Sequence, residues 1–72
     1  MKIKNCKITA SVWNLSYEGD AVDALDLVRQ LHYAFAVSGT DMPKMLNDFV
    51  FNIEVALQNS GVLDDNFDVI ED

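Results

Sequence analysis

CKITASVWNLSY, residues 6–17, decides how this chain begins. Up to Val12 the even positions Cys6, Ile8, Ala10 and Val12 are apolar and the odd positions Lys7, Thr9 and Ser11 are polar. That period of two predicts a strand with one buried face, over about residues 2–13. The phase then inverts, and Trp13, Leu15 and Tyr17 carry the apolar groups at odd positions. Either a bulge interrupts a long strand near Val12 and Trp13, or the strand ends there. A short helix over Ser11 to Tyr17 is the remaining reading. A lone strand cannot satisfy its backbone groups, so it needs a partner. Three are open: the C-terminal segment around Phe67 to Ile70, the segment beyond the phase inversion, or the same strand of a second subunit.

Downstream the period changes to that of helices. Asp20 is a suitable N-cap, and Asp23 adds negative charge where a first helical turn favours it. A helix is predicted over about 21–37, with Ala24, Leu25, Val28, Leu31 and Phe35 on one side and Leu27, His32 and Ala34 at its margins. Asp23, Asp26, Gln30 and Tyr33 share the other side. Ser38-Gly39 supplies the stop. Thr40 or Asp41 as cap, with Pro43 in the first turn, predicts a second helix over about 42–58, closed by Asn59-Ser60-Gly61. The short connection makes the two helices an antiparallel hairpin. The expected fold is α+β: an N-terminal strand, bulged or paired with a short C-terminal strand, then a two-helix hairpin and an acidic tail over about 62–72, all in one domain.

Composition limits what such a domain can be. At 72 residues it buries only about 60% of its unfolded surface. With one cysteine, Cys6, and one histidine, His32, it has neither an intrachain disulfide nor the ligands of a structural zinc site. Stability must come from good packing or from association. The lysines near the N-terminus are not followed by a continuous apolar run, so no signal peptide is predicted. No segment approaches the roughly 20 apolar residues of a membrane span, and a lone thiol suits the cytosol. The net charge of −7, from 12 acids against 5 bases, repels nucleic acid and anionic membranes and attracts basic partners.

The sequence offers no catalytic residue, cofactor motif or metal site. His32 has no nucleophile or second histidine at a useful spacing, and reads as a residue edging the apolar face. Cys6 reads as a small hydrophobe. Asp64-Asp65-Asn66-Phe67-Asp68 lacks the turn glycine and closing glutamate of a calcium loop, and reads as a solvated tail.

Two features point to binding. Glu18, Asp20, Asp23 and Asp26 gather at the start of the first helix, and Asp64, Asp65, Asp68, Glu71 and Asp72 crowd the C-terminus. If the tail folds near that helix, the carboxylates form one surface able to imitate a row of phosphates and to occupy a basic groove on a partner. The competing reading is that they only keep the protein soluble. The second feature is an apolar pair, Phe51 and Val55, one turn apart on the polar side of the second helix. The pair is either a contact site, for a partner or a second copy, or is covered by the chain's own tail or strand. The expected function is a non-catalytic protein-binding module engaging a basic, nucleic-acid-binding protein, with no direct contact to nucleic acid or membrane. The alternative is a structural homodimer or larger assembly joined through Phe51 and Val55. In size and charge, though in no motif, the chain resembles the small inhibitors encoded by phages and other mobile elements, anti-CRISPR and anti-restriction proteins among them.

Overall fold

The computed structural model of the protein describes residues 3–70. Four elements follow in order: β1 (Lys7–Val12), β2 (Leu15–Asp20), α1 (Ala21–Ser38) and α2 (Lys44–Asn59). The architecture is α+β, a two-stranded antiparallel sheet followed by a helical hairpin. The predicted single strand over about residues 2–13 is thus shorter than expected, and its partner is the segment beyond the phase inversion. No bulge forms, and the short helix over Ser11 to Tyr17 does not exist. Met1, Lys2, Glu71 and Asp72 lie outside the described residues.

The register accounts for the inversion. Val12 faces Leu15, Ala10 faces Tyr17 and Ile8 faces Gly19 across a two-residue turn. Even positions of β1 therefore share a face with odd positions of β2, as any hairpin with a two-residue loop requires. Of the two turn residues only Trp13 has a positive φ, at 58°. That is the pattern of a type II′ turn, in which glycine ordinarily takes this position. A bulky residue there stores on the order of 1–3 kcal/mol.

The helix ends follow local chemistry, with one correction. Asp20 sits extended at φ −88° and its carboxylate accepts the Asp23 N–H at 2.8 Å. At the other end Gly39 is left-handed at φ 68°, and the N–H groups of Gly39 and Thr40 reach the carbonyls of Ala36 and Phe35. This double closure is a Schellman motif. Neither Thr40 nor Asp41 caps α2. Pro43 itself holds the N-cap position, extended at φ −55° and ψ 147° and without a side-chain bond, so the helix starts at Lys44 rather than 42. Proline has fixed φ and no N–H to satisfy, which lets it serve there. Gly61, at φ 82°, closes α2 by the same motif, with the Val62 N–H on the Leu57 carbonyl at 2.9 Å.

The core forms where one face of β1 meets α2. Ile8 and Ala10 pack with Val50, Ile53 and Leu57, while Ala21, Ala24, Leu25 and Val28 of α1 close one flank. Directly after Gly61 the chain turns inward, and Val62 and Leu63 complete the core. Of Met42, Met45, Leu46, Phe49, Ile53, Ala56 and Leu57, whose spacing in the sequence predicts the core stripe of α2, Phe49, Ile53 and Leu57 are buried, Met42, Leu46 and Ala56 are half-buried and Met45 is exposed, while Val50 is buried outside that set. On α1 burial fades beyond Val28: Leu31 and Phe35 are only half-buried.

Ile53 is fully buried, and Ile53→Ala is expected to cost about 2–5 kcal/mol, most of what a domain of this size commands. Urea titration followed by far-UV circular dichroism should show the cooperative transition nearly abolished, and Ile53→Val should retain it. Trp13→Gly removes the backbone strain of the turn and no core contact. Its urea midpoint is expected to equal or exceed that of the wild type.

Candidate partner-binding surface

The C-terminal segment is an ordered loop folded back on the helices. Leu63 and Val69 form an isolated antiparallel bridge, and the Ile70 N–H donates to the Val62 carbonyl at 2.9 Å. Asp64 organises the residues between. Its carboxylate accepts the N–H groups of Asn66 at 2.8 Å and Asp68 at 3.0 Å, and its carbonyl accepts the Phe67 N–H and the Gln58 side chain. Asn66 to Asp68 therefore lie under a carboxylate that binds the backbone as an Asx turn does. Phe67 takes a left-handed φ of 63° within this loop.

That conformation sets the Phe67 ring against Phe51 of α2. The ring centroids are 6.1 Å apart with planes tilted by 49°, a favourable aromatic arrangement. Neither ring is buried by the contact: Phe51 is 55% exposed and Phe67 38%. Val55, the expected companion of Phe51, is half-buried. The two features read separately in the sequence, the apolar spot on the second helix and the acidic tail, are thus one surface. Asp65 and Asp68, both exposed, flank the Phe67 ring in the chain.

The other predicted acids have mixed fates. Glu18, exposed on β2, pairs with Lys7 at 3.4 Å. Asp20 is engaged as the α1 cap and Asp64 as the loop organiser. Asp23 and Asp26 are exposed on α1. The loop does fold against α1, since Leu63, Phe67 and Val69 share a cleft of about 190 Å³ with Leu25, Val28 and Arg29. Arg29 adds a positive charge beside that cleft, so the negative surface is interrupted there. At its mouth His32 Nε2 lies 3.7 Å from Glu54 Oε1, an ion pair only with a protonated ring. Among the described residues no three histidine, cysteine or acidic side chains converge as a metal site, and no helix is long and apolar enough to cross a membrane.

The negative field at the β2–α1 junction is felt by Tyr17. Partial burial, with the Asp23 and Asp20 carboxylates adding to it, pushes its phenol above the usual value of 10.0. Two residues escaped sequence reasoning as surface candidates. In the sequence Phe67 reads as part of a tail that pairs with the strand or covers the second helix, and Trp13, 68% exposed at the hairpin turn, only marks the strand phase. Comparison with known proteins returns nothing: no family model, curated protein or solved structure matches the chain.

Asp64→Ala is expected to release the loop, seen as loss of hydrogen-exchange protection at the Asn66 and Asp68 amides and of ring-current shifts between Phe67 and Phe51. Alkaline pH gives a second check. The folded state favours neutral Tyr17, so this contribution to stability is complete below pH 10 and declines as pH rises through the folded value. Tyr17→Phe should flatten that alkaline limb of the urea midpoint against pH.

Proposed function

We propose that the protein is a non-catalytic binding module that engages a basic partner protein through the Phe51–Phe67 pair and the carboxylates around it. One observation carries the reading: two aromatic rings in mutual contact, both left open to solvent, Phe51 on α2 and Phe67 in a loop held in place by its own acid. Ordering an aromatic pair and its backbone before any encounter lowers the entropic cost of binding. Aromatic anchors ringed by charged groups are what the centre and rim of an interface require. The acids supply attraction at a distance and the rings supply affinity on contact.

The chemistry of the partner follows from the charge. A net charge of −7 selects a protein with a basic face, and the commonest basic faces are those that hold nucleic acid. Occupying such a face makes this chain an inhibitor of the partner, in the cytoplasm where its lone thiol stays reduced. Its size and charge match those of inhibitors from phages and other mobile elements, an analogy that assigns no residue. Because Glu18, Asp20 and Asp64 already have intramolecular roles, the reading favours an apolar anchor with an acidic rim over a long row of phosphate-like charges.

The test is capture from the organism that encodes the chain, comparing the wild type with Phe51→Asp and with Asp65→Asn/Asp68→Asn. A nucleic-acid-binding protein should be retained at low salt and released as salt rises. Phe51→Asp should weaken it about 30-fold or more, the scale of an interface anchor. The double neutralisation should chiefly slow association and flatten the salt dependence. Retention that ignores both salt and Phe51 would remove the proposal.

A further inference from the structure

A sheet of two strands has two edges, and the register determines which backbone groups they expose. Because Val12 and Leu15 flank the two-residue turn, the pairs that exchange hydrogen bonds across the hairpin are Val12 with Leu15, Ala10 with Tyr17 and Ile8 with Gly19. The backbone groups of the residues between them point outward, those of Lys7, Thr9 and Ser11 from β1 and those of Ser16 and Glu18 from β2. Among the described residues no other strand lies beside β2, and no hydrogen bond reaches the N–H or the carbonyl of Ser16 or Glu18. An open hollow of about 350 Å³ borders Ser16, Tyr17 and Glu18, which leaves room beside this stretch.

Open edges are ordinarily guarded by lysine, proline or a bulge. β1 carries Lys7, with Lys4 shortly before it. β2 has no base, no proline and no bulge, since its six residues pair one for one with β1. What it has instead is acid. Glu18 is exposed on its outer face, Asp20 ends it, and Asp23 follows, exposed, in the first turn of α1. On the inner face Leu15 and Tyr17 are half-buried, and the Tyr17 ring lies against Gly19. The edge therefore has one acidic side and one apolar side. A copy of the same strand would set its own Glu18 and Asp20 against these acids, whereas a basic strand is attracted to them.

We propose that the open edge of β2 binds an extended segment of a basic protein as a third strand, a segment in which basic and apolar residues alternate. Ser16 and Glu18 offer it their N–H groups and carbonyls, and main-chain pairing of this kind supplies affinity without regard to sequence. Side chains supply the selection. Residues directly opposite one another in a sheet share a face, so those facing Ser16 and Glu18 stand on the acidic side and are basic. Those between them stand beside Leu15 and Tyr17 and are apolar. The ion pair of Glu18 with Lys7 does not compete, because both side chains are exposed and such a pair contributes little. Asp20 adds charge and no pairing, since its carbonyl accepts the Tyr17 hydroxyl at 3.4 Å and α1 begins directly after it. The inference is independent of the surface of Phe51 and Phe67, which belongs to α2 and the C-terminal loop.

The probe is a short peptide alternating lysine with valine, blocked at both ends and titrated into the isotope-labelled chain. Amide shifts should move along residues 15–18, and hydrogen exchange at the Ser16 and Glu18 amides should slow by about tenfold or more. Methylating the backbone nitrogens of the lysines removes the donors that face β2, and should weaken binding by about tenfold or more. Methylating those of the valines, whose N–H groups face away, should leave it within about twofold. The two methylated peptides carry the same charge and side chains, so equal binding by both means attraction by charge alone and overturns the inference. Glu18→Lys, at an exposed position, should keep the far-UV spectrum and weaken binding by about tenfold, while Phe51→Asp should bind as the wild type does. Shifts confined to Phe51, Phe67 and the C-terminal loop overturn the inference. So does protection of Ser16 and Glu18 that rises with protein concentration in the absence of peptide, which assigns the edge to a second copy.

Discussion

The structure depends on the contact between the inner face of β1 and the buried stripe of α2. Ile8, Val50, Ile53, Leu57 and Val62 are essentially inaccessible to water, and they meet around α2. A two-stranded hairpin is marginal by itself, and an isolated helix of 16 residues is little better. Each becomes stable by covering the other. α1 joins at one flank with small and branched residues, and the chain after Gly61 closes the remaining gap. With one cysteine the chain has no internal disulfide, and among the described residues no three histidine, cysteine or acidic side chains converge, so this arrangement is held by close packing of a few side chains.

Much of this was legible in residue patterns, and the failures have physical causes. The alternation of Cys6 to Val12 announced a strand, and the inversion at Trp13 announced that something happened there. What happened was a hairpin turn without its usual signal, because Trp-Asn stands where Asn-Gly or a leading glycine would mark it. The helices were visible from Asp20, Gly39 and Gly61, residues whose capping roles depend on local geometry alone. Pro43 was misplaced by one position, since proline suits both the first turn and the residue before it. Val50 belongs to the same stripe as Ile53 and Leu57, and shows that a stripe is wider than its most regular members. The C-terminal loop was the least legible part. Its order comes from Asp64 binding two amides and from Phe67 in a left-handed conformation, neither of which leaves a periodic trace.

The candidate surface was half legible for a related reason. Phe51 stood out because it broke the amphipathic pattern of α2, and the acids stood out by number. Their union required knowing where the tail goes, a long-range fact no spacing encodes. Once the loop is placed, several acids prove to be structural and one aromatic, Phe67, becomes central.

The most direct measurement of this account is amide chemical-shift mapping of the chain during titration with a short arginine-rich peptide that carries one leucine. The account predicts that the perturbed amides cluster at Phe51, Asp65, Phe67 and Asp68, extend to the exposed acids Asp23 and Asp26, and spare Trp13, Val37 and Met45. Perturbations spread evenly over every acidic residue, with Phe51 and Phe67 unmoved, would contradict it.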